Sequence, residues 1–128
     1  METGDVIKIE RQKDEDAASW QTTQYSYTPL RLLETTTDPL NRVTQFEYDL
    51  NRNLTKKIDA NNHATRYQYD ERDLLFKVTD ANSPVGVTQY DYDLNGNWKA
   101  IKDANEHATL YTFDRFDRVF TTVYVDST

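Results

Sequence analysis

Cysteine is absent from the 128 residues, so no disulfide framework or thiolate metal site exists, and composition leaves the redox compartment open. Apolar residues are scarce at 37%, which suits a single thin layer better than a ball with a thick core. No run approaches the roughly 20 apolar residues of a membrane span. The opening METGDVIKIERQKDEDAASW lacks the apolar stretch of a signal peptide. Basic residues are outnumbered, 15 Lys plus Arg against 22 Asp plus Glu. The resulting net charge of -7 argues against a nucleic-acid backbone or an anionic membrane as partner. Helix-compatible sequence is nearly missing: DEDAAS at 14–19 is the one piece, and it reads as an insertion in a degenerate first unit. What is plentiful is tyrosine, nine in all against three Gly and three Pro, the mark of a strand-rich chain rather than a disordered one.

The tyrosines recur. TQFEYDLNRNLTKKIDANNHA (44–64) is followed by TRYQYDERDLLFKVTDANSPVGV and then by TQYDYDLNGNWKAIKDANEHA, which places Asp49, Asp70, Asp93 and Asp114 in register at spacings of 21, 23 and 21 residues. The two extra residues fall in NSPVGV, read as a longer loop; one further step back reaches Thr28. Each unit opens with aromatics at alternate positions: Tyr25 and Tyr27, Phe46 and Tyr48, Tyr67 and Tyr69, Tyr90 and Tyr92, Tyr111 and Phe113. Period two is the strand signature, and it puts both rings of a pair on one face. An apolar residue (Leu33, Leu54, Leu75, Trp98, Val119) opens a second strand five residues after the Asp position, and Asp38, Asp59, Asp80 or Asp103 closes it.

Strand, turn, strand, turn at about ten residues per step gives an all-β fold: a meander of antiparallel hairpins, about ten strands, forming a twisted open sheet or part of a β-shell. Turns are expected near Asn51 to Asn53, Asn61 to His63 and Leu94 to Asn97, where Asn95-Gly96 suits a type I′ hairpin turn. Residues 1–128 read as one domain, with 1–22 the degenerate first unit and 23–128 about five units. Stability then comes from neighbour packing on neighbour.

DPLNRVTQFEYDLNRNLTKKID, with its recurring Tyr-Asp, resembles the YD repeats of Rhs proteins, teneurins and the shell-forming components of insecticidal toxin complexes. The likeness covers roughly residues 23 to 125 and draws its specificity from repetition. Its signature here is Tyr48, Asp49, Asp59, Tyr69, Asp70, Asp80, Tyr92, Asp93, Asp103, Phe113 and Asp114. The chain departs from the family at the Gly three residues after each Asp, kept only as Gly96; Arg31, Arg52, Asp73 and Asp117 stand there instead, and Asn41, Asn62 and Glu106 in the other turn. The resemblance implies a non-enzymatic scaffold, part of a hollow β-shell that encloses a C-terminal toxin in a larger exported protein, secreted or at the cell surface. Its implied partners are the remaining repeats and that toxin. Cut sheet edges also invite self-association.

Enzyme chemistry has a foothold in the paired carboxylates, which could act on a glycoside. Recurrence at matching turn positions favours the bland reading, in which Asp side chains accept from nearby backbone amides. Asp-Ala-Asn at 59–61, 80–82 and 103–105 alternates oxygen donors as calcium loops do, but the invariant Gly and the closing Glu are missing. His63 and His107 share one position in two units and read as turn packing, without converging partners for zinc or catalysis. No cofactor is implied. The rival to the scaffold is a carbohydrate-binding module whose aromatic face stacks sugars on Trp98, Tyr67 and Tyr90; rings packing on one another and on Leu, Ile and Val explain the same residues. Truncating Trp98 is expected to cost roughly 3 kcal/mol if it lies in an apolar seam.

Overall fold

A computed structural model describes residues 6–12, 20–80 and 86–126, with backbone alone for 6–12 and Trp20. The DEDAAS insertion and residues 82–85 of the NSPVGV loop lie outside the described residues. The chain divides into two compact units, residues 1–64 and 65–128. The first contains β1 (Val6–Gln12), β2 (Trp20–Tyr27), β3 (Leu33–Thr37), β4 (Val43–Tyr48) and β5 (Leu54–Ile58). The second is built of β6 (Ala64–Tyr69), β7 (Leu75–Asp80), β8 (Gly86–Tyr92), β9 (Trp98–Lys102), β10 (Ala108–Phe113) and β11 (Val119–Val125). Within each unit every strand pairs antiparallel with the next in sequence. The architecture is the expected open all-β meander, with no helix among the described residues and eleven strands where about ten were expected. The excess arises in the degenerate segment, where β1 pairs with β2 over seven residue pairs.

The period-two aromatics behave as strand sterics require. In β4, Phe46 and Tyr48 are half-buried while Gln45 and Glu47 are exposed. The second unit repeats this at Tyr67 and Tyr69, Tyr90 and Tyr92, and Tyr111 and Phe113. Directly opposed residues of an antiparallel pair share a face. Tyr67 lies opposite Val78, Val78 opposite Thr88, and Tyr90 opposite Ile101, so the tyrosines of β6 and β8 occupy one face. Among the described residues no side chain is fully buried, which is what a one-layer sheet must show.

The Asp turns differ from the type I′ expectation. A type I′ turn needs positive φ at both central residues. In the Asn95-Gly96 loop only Gly96 has it, at 87°. Asp93 accepts from the Gly96 N–H at 3.2 Å and donates its own N–H to the Asn97 carbonyl at 2.9 Å. That is the longer connection, a type I turn followed by one left-handed residue. It recurs at all eight described turns of this kind, the fourth residue being Arg31, Asn41, Arg52, Asn62, Asp73, Gly96, Glu106 or Asp117, with φ between 57° and 87°. The missing glycines therefore leave the turn geometry intact.

A second irregularity follows each Tyr-Asp turn. The register slips by one residue between Ser26 and Tyr27, Glu47 and Tyr48, Gln68 and Tyr69, Asp91 and Tyr92, and Thr112 and Phe113. Glu34, Thr55, Phe76, Lys99 and Phe120 are the extra residues on the facing strands. One such bulge per unit bends the strand and raises its local twist.

Candidate functional site

The recurring acids form a row of clamps at the turns. Oδ1 of Asp49 accepts from the backbone N–H of Asn51 at 2.9 Å and of Asn53 at 2.8 Å. The same pair of bonds, to the second and fourth residues onward, closes the turns of Asp38, Asp59, Asp70, Asp93, Asp103 and Asp114. At the first of them Thr28 substitutes, its Oγ1 accepting from the Leu32 N–H at 3.1 Å. Asp is the residue for this position because a short carboxylate reaches its own turn amides.

Oδ2 is then left facing the side chain four residues on. It meets Arg42 at Asp38, Asn53 at Asp49, Asn97 at Asp93 and Arg118 at Asp114. His63 and His107 take this place, with Nδ1 at 3.3 Å from Asp59 and 3.4 Å from Asp103. Asp70 uses Arg72 instead, two residues on, at 3.1 Å. These donors shift the acids. The Arg42 guanidinium holds the Asp38 carboxyl below the usual carboxylate range, and Arg118 does so for Asp114. Asp59, Asp70 and Asp93 are lowered mainly by the N–H of the residue four positions onward, His63, Leu74 and Asn97 respectively. At Asp103 desolvation is the largest single influence and opposes the shift, yet the His107 and Asn105 amides still bring it down.

Successive turns also touch. Arg72 reaches the carbonyl of Asp93 at 3.0 Å, and the amides of Asn95 and Asn97 donate to Asp117 at 3.2 and 3.0 Å. The signature tyrosines work in the same direction. Tyr48 donates its hydroxyl to the Leu33 carbonyl at 2.9 Å, and Tyr92 to that of Leu75 at 2.8 Å. Each bond ties the end of one aromatic strand to the residue that opened the preceding hairpin arm. Burial raises the Tyr48 hydroxyl pKa.

Asp80 ends β7 opposite Gly86, and the loop after it is outside the described residues. The candidate stacking residues are only partly brought together: Trp98 and Tyr90 stand 6.5 Å apart with planes tilted by 33°, while Tyr67 is two strands from β8. Trp98 is 51% exposed, so it does not sit in a closed apolar seam, and the roughly 3 kcal/mol expected for its truncation falls to about 1 to 2. Among the described residues no cluster of three or more His, Asp or Glu could hold a metal ion. What the site does chemically is satisfy turn amides and carry hydrogen bonds from one repeat to the next. The bulges leave no signature in the sequence, because Glu34, Thr55, Phe76, Lys99 and Phe120 share no side-chain character.

Residues 30–64 and 50–88 match the RHS Repeat family model. No curated protein matches the chain. Among solved structures, the Photorhabdus luminescens Tc holotoxin pore, bearing a TccC3 mutation, superposes with a TM-score of 0.72 at 16% identity over 88% of this chain. A crystal structure of TcdB2-TccC3 covers 83% of the chain at 18% identity, with a TM-score of 0.47. The chain spans 6% and 7% of those chains, respectively.

Proposed function

We propose that this chain, a YD/Rhs repeat segment, is a non-catalytic length of wall in a larger β-shell whose interior holds a C-terminal toxin polypeptide. The whole of residues 1–128 would act as one repeat domain, and export would come with the parent protein, secreted or at the cell surface. The partners in this reading are further repeats and the enclosed toxin. The observation that carries it is how the eye-catching groups are occupied: the signature acids close their own turns, the tyrosines Tyr48 and Tyr92 join one strand to its neighbour, and Arg72 and Asn97 bond from one turn to the next. A carboxylate accepting two turn amides is held ionised by those donors, which is poor preparation for a general acid.

A second reading, sugar binding, has one specific support. Half-exposed Trp98 borders a depression of about 360 Å³ lined also by Gly96, Asn97, Tyr111, Phe113 and Val119. An aromatic platform beside an amide is suitable for stacking a pyranose. A glycan array probed with the chain separates the two readings. The wall predicts no saccharide retained above background. Selective retention that disappears in Trp98→Ala would replace the wall with a binding module.

A further inference from the structure

The turn at Asp93 repeats the turn at Asp49 with one exchange: Asp49-Leu50-Asn51-Arg52 becomes Asp93-Leu94-Asn95-Gly96. Both close in the same way. The asparagine N–H donates to Oδ1 of the Asp at 2.9 and 2.8 Å, and the fourth N–H donates to the Asp carbonyl at 3.1 and 3.2 Å. Seven described turns of this kind hold their fourth position without glycine, so the backbone does not require Gly96. What Gly96 changes is the reactivity of its neighbour. Asn95 is exposed, and it is the only asparagine in the sequence followed by glycine.

The chemistry is intramolecular. When the Gly96 backbone nitrogen attacks Cγ of Asn95, a new C–N bond forms as the Cγ–Nδ2 bond breaks, and ammonia leaves with the Gly96 proton. Water then opens the succinimide, at the Asn95 main-chain carbonyl to give isoaspartate or at Cγ to give aspartate. Neither step needs an oxidant. A side chain on the following residue crowds the attacking nitrogen, and glycine removes that obstacle.

Two bonds hold the reaction back. The Gly96 N–H is engaged by the Asp93 carbonyl, and Nδ2 of Asn95 donates to Oδ1 of Asp117 in the neighbouring turn at 3.2 Å. That second bond, with its companion from Asn97 at 3.0 Å, is also the contact between two successive Tyr-Asp turns. Conversion strikes it directly: a carboxylate replaces the donor and faces the Asp117 carboxylate, while isoaspartate also adds a backbone carbon to the turn.

We propose that Asn95 is a self-modification site with water as co-reactant, that Asp117 guards it, and that its conversion unfastens the Asp93 turn from the Asp114 turn. The joint between these two repeats then weakens with the age of the molecule.

The folded chain, kept for weeks in warm, mildly alkaline buffer and sampled by peptide mass spectrometry, reports both asparagines at once. Asn95 should convert at least about tenfold faster than Asn51. Equal rates overturn the site, and this comparison needs no variant. Asp117→Gly removes the acceptor, and glycine suits the φ of 57° at that position. With the circular dichroism spectrum kept, conversion should then quicken about fivefold, the worth of one hydrogen bond. An unchanged rate overturns the guard. Asn95→Asp, the simpler product made directly, should lower the urea midpoint of the native chain and lower it less in Asp117→Gly, where no opposing carboxylate remains. Equal losses in both backgrounds overturn the unfastening.

Discussion

At the scale of single residues, seven described positions other than glycine hold positive φ, and each is the fourth residue of a turn opened by Asp or, for Arg31, by Thr28. The left-handed region costs an ordinary side chain roughly 1 kcal/mol. It is tolerated here because two N–H bonds to one carboxylate oxygen and two backbone bonds determine the turn together. Loss of the family glycine was legible in the sequence; its harmlessness was not, since it rests on the hydrogen bonds that surround it. Arg52→Gly should raise stability by about 0.5 kcal/mol, read from the urea midpoint. Gly96→Ala should lower it by about 1 kcal/mol through backbone strain, because an added Cβ would lie 3.9 Å from Leu74, an ordinary contact. Asp59→Asn keeps an oxygen for the Asn61 and His63 amides, whereas Asp59→Ala leaves both without it. The thermal midpoint should therefore fall much further for Asp59→Ala, and equal losses would assign the work to charge rather than to the Asx turn.

At the scale of the hairpin, the tyrosine hydroxyl is the joint between successive units. Tyr92→Phe removes the bond to the Leu75 carbonyl and should cost about 1 kcal/mol. Phe113 occupies the same repeat position without a hydroxyl. If the joint is a property of the repeat, Phe113→Tyr should gain up to about 1 kcal/mol by reaching the Trp98 carbonyl, the counterpart of Leu33 and Leu75. No gain, with the fold intact, would mean that the repeat position alone does not make the joint. Strands and turns were readable because alternation and Asp spacing are written in side chains. The bulges are a backbone property: Thr55 and Phe76 hold the same bulge with nothing chemically in common, so no composition rule could find it.

At the scale of the molecule, the lack of any fully buried side chain among the described residues puts unusual weight on the edges and turns. Their acids give the chain a definite pH response. Asp38, Asp59, Asp70, Asp93, Asp103 and Asp114 all have folded-state pKa values below the ordinary one. A depressed folded pKa contributes stability that is present above the unfolded value and lost as pH falls through the folded one. The urea midpoint should accordingly fall as pH drops below about 4, with this contribution unchanged well above that. A midpoint insensitive to acid would mean that the clamps add little to folding.

The central claim is that the chain is a repeat array in which each unit serves its neighbours and none houses a unique site. Excising residues 49–69 tests it most directly, because the cut joins Tyr48 to Asp70 and restores the Tyr-Asp phrase in register. Circular dichroism and urea unfolding of the shortened chain should show the same β spectrum and a single cooperative transition at a moderately lower midpoint. An unfolded chain, or one that retains the spectrum only as aggregate, would contradict the account and make the excised residues an irreplaceable part of one self-contained domain.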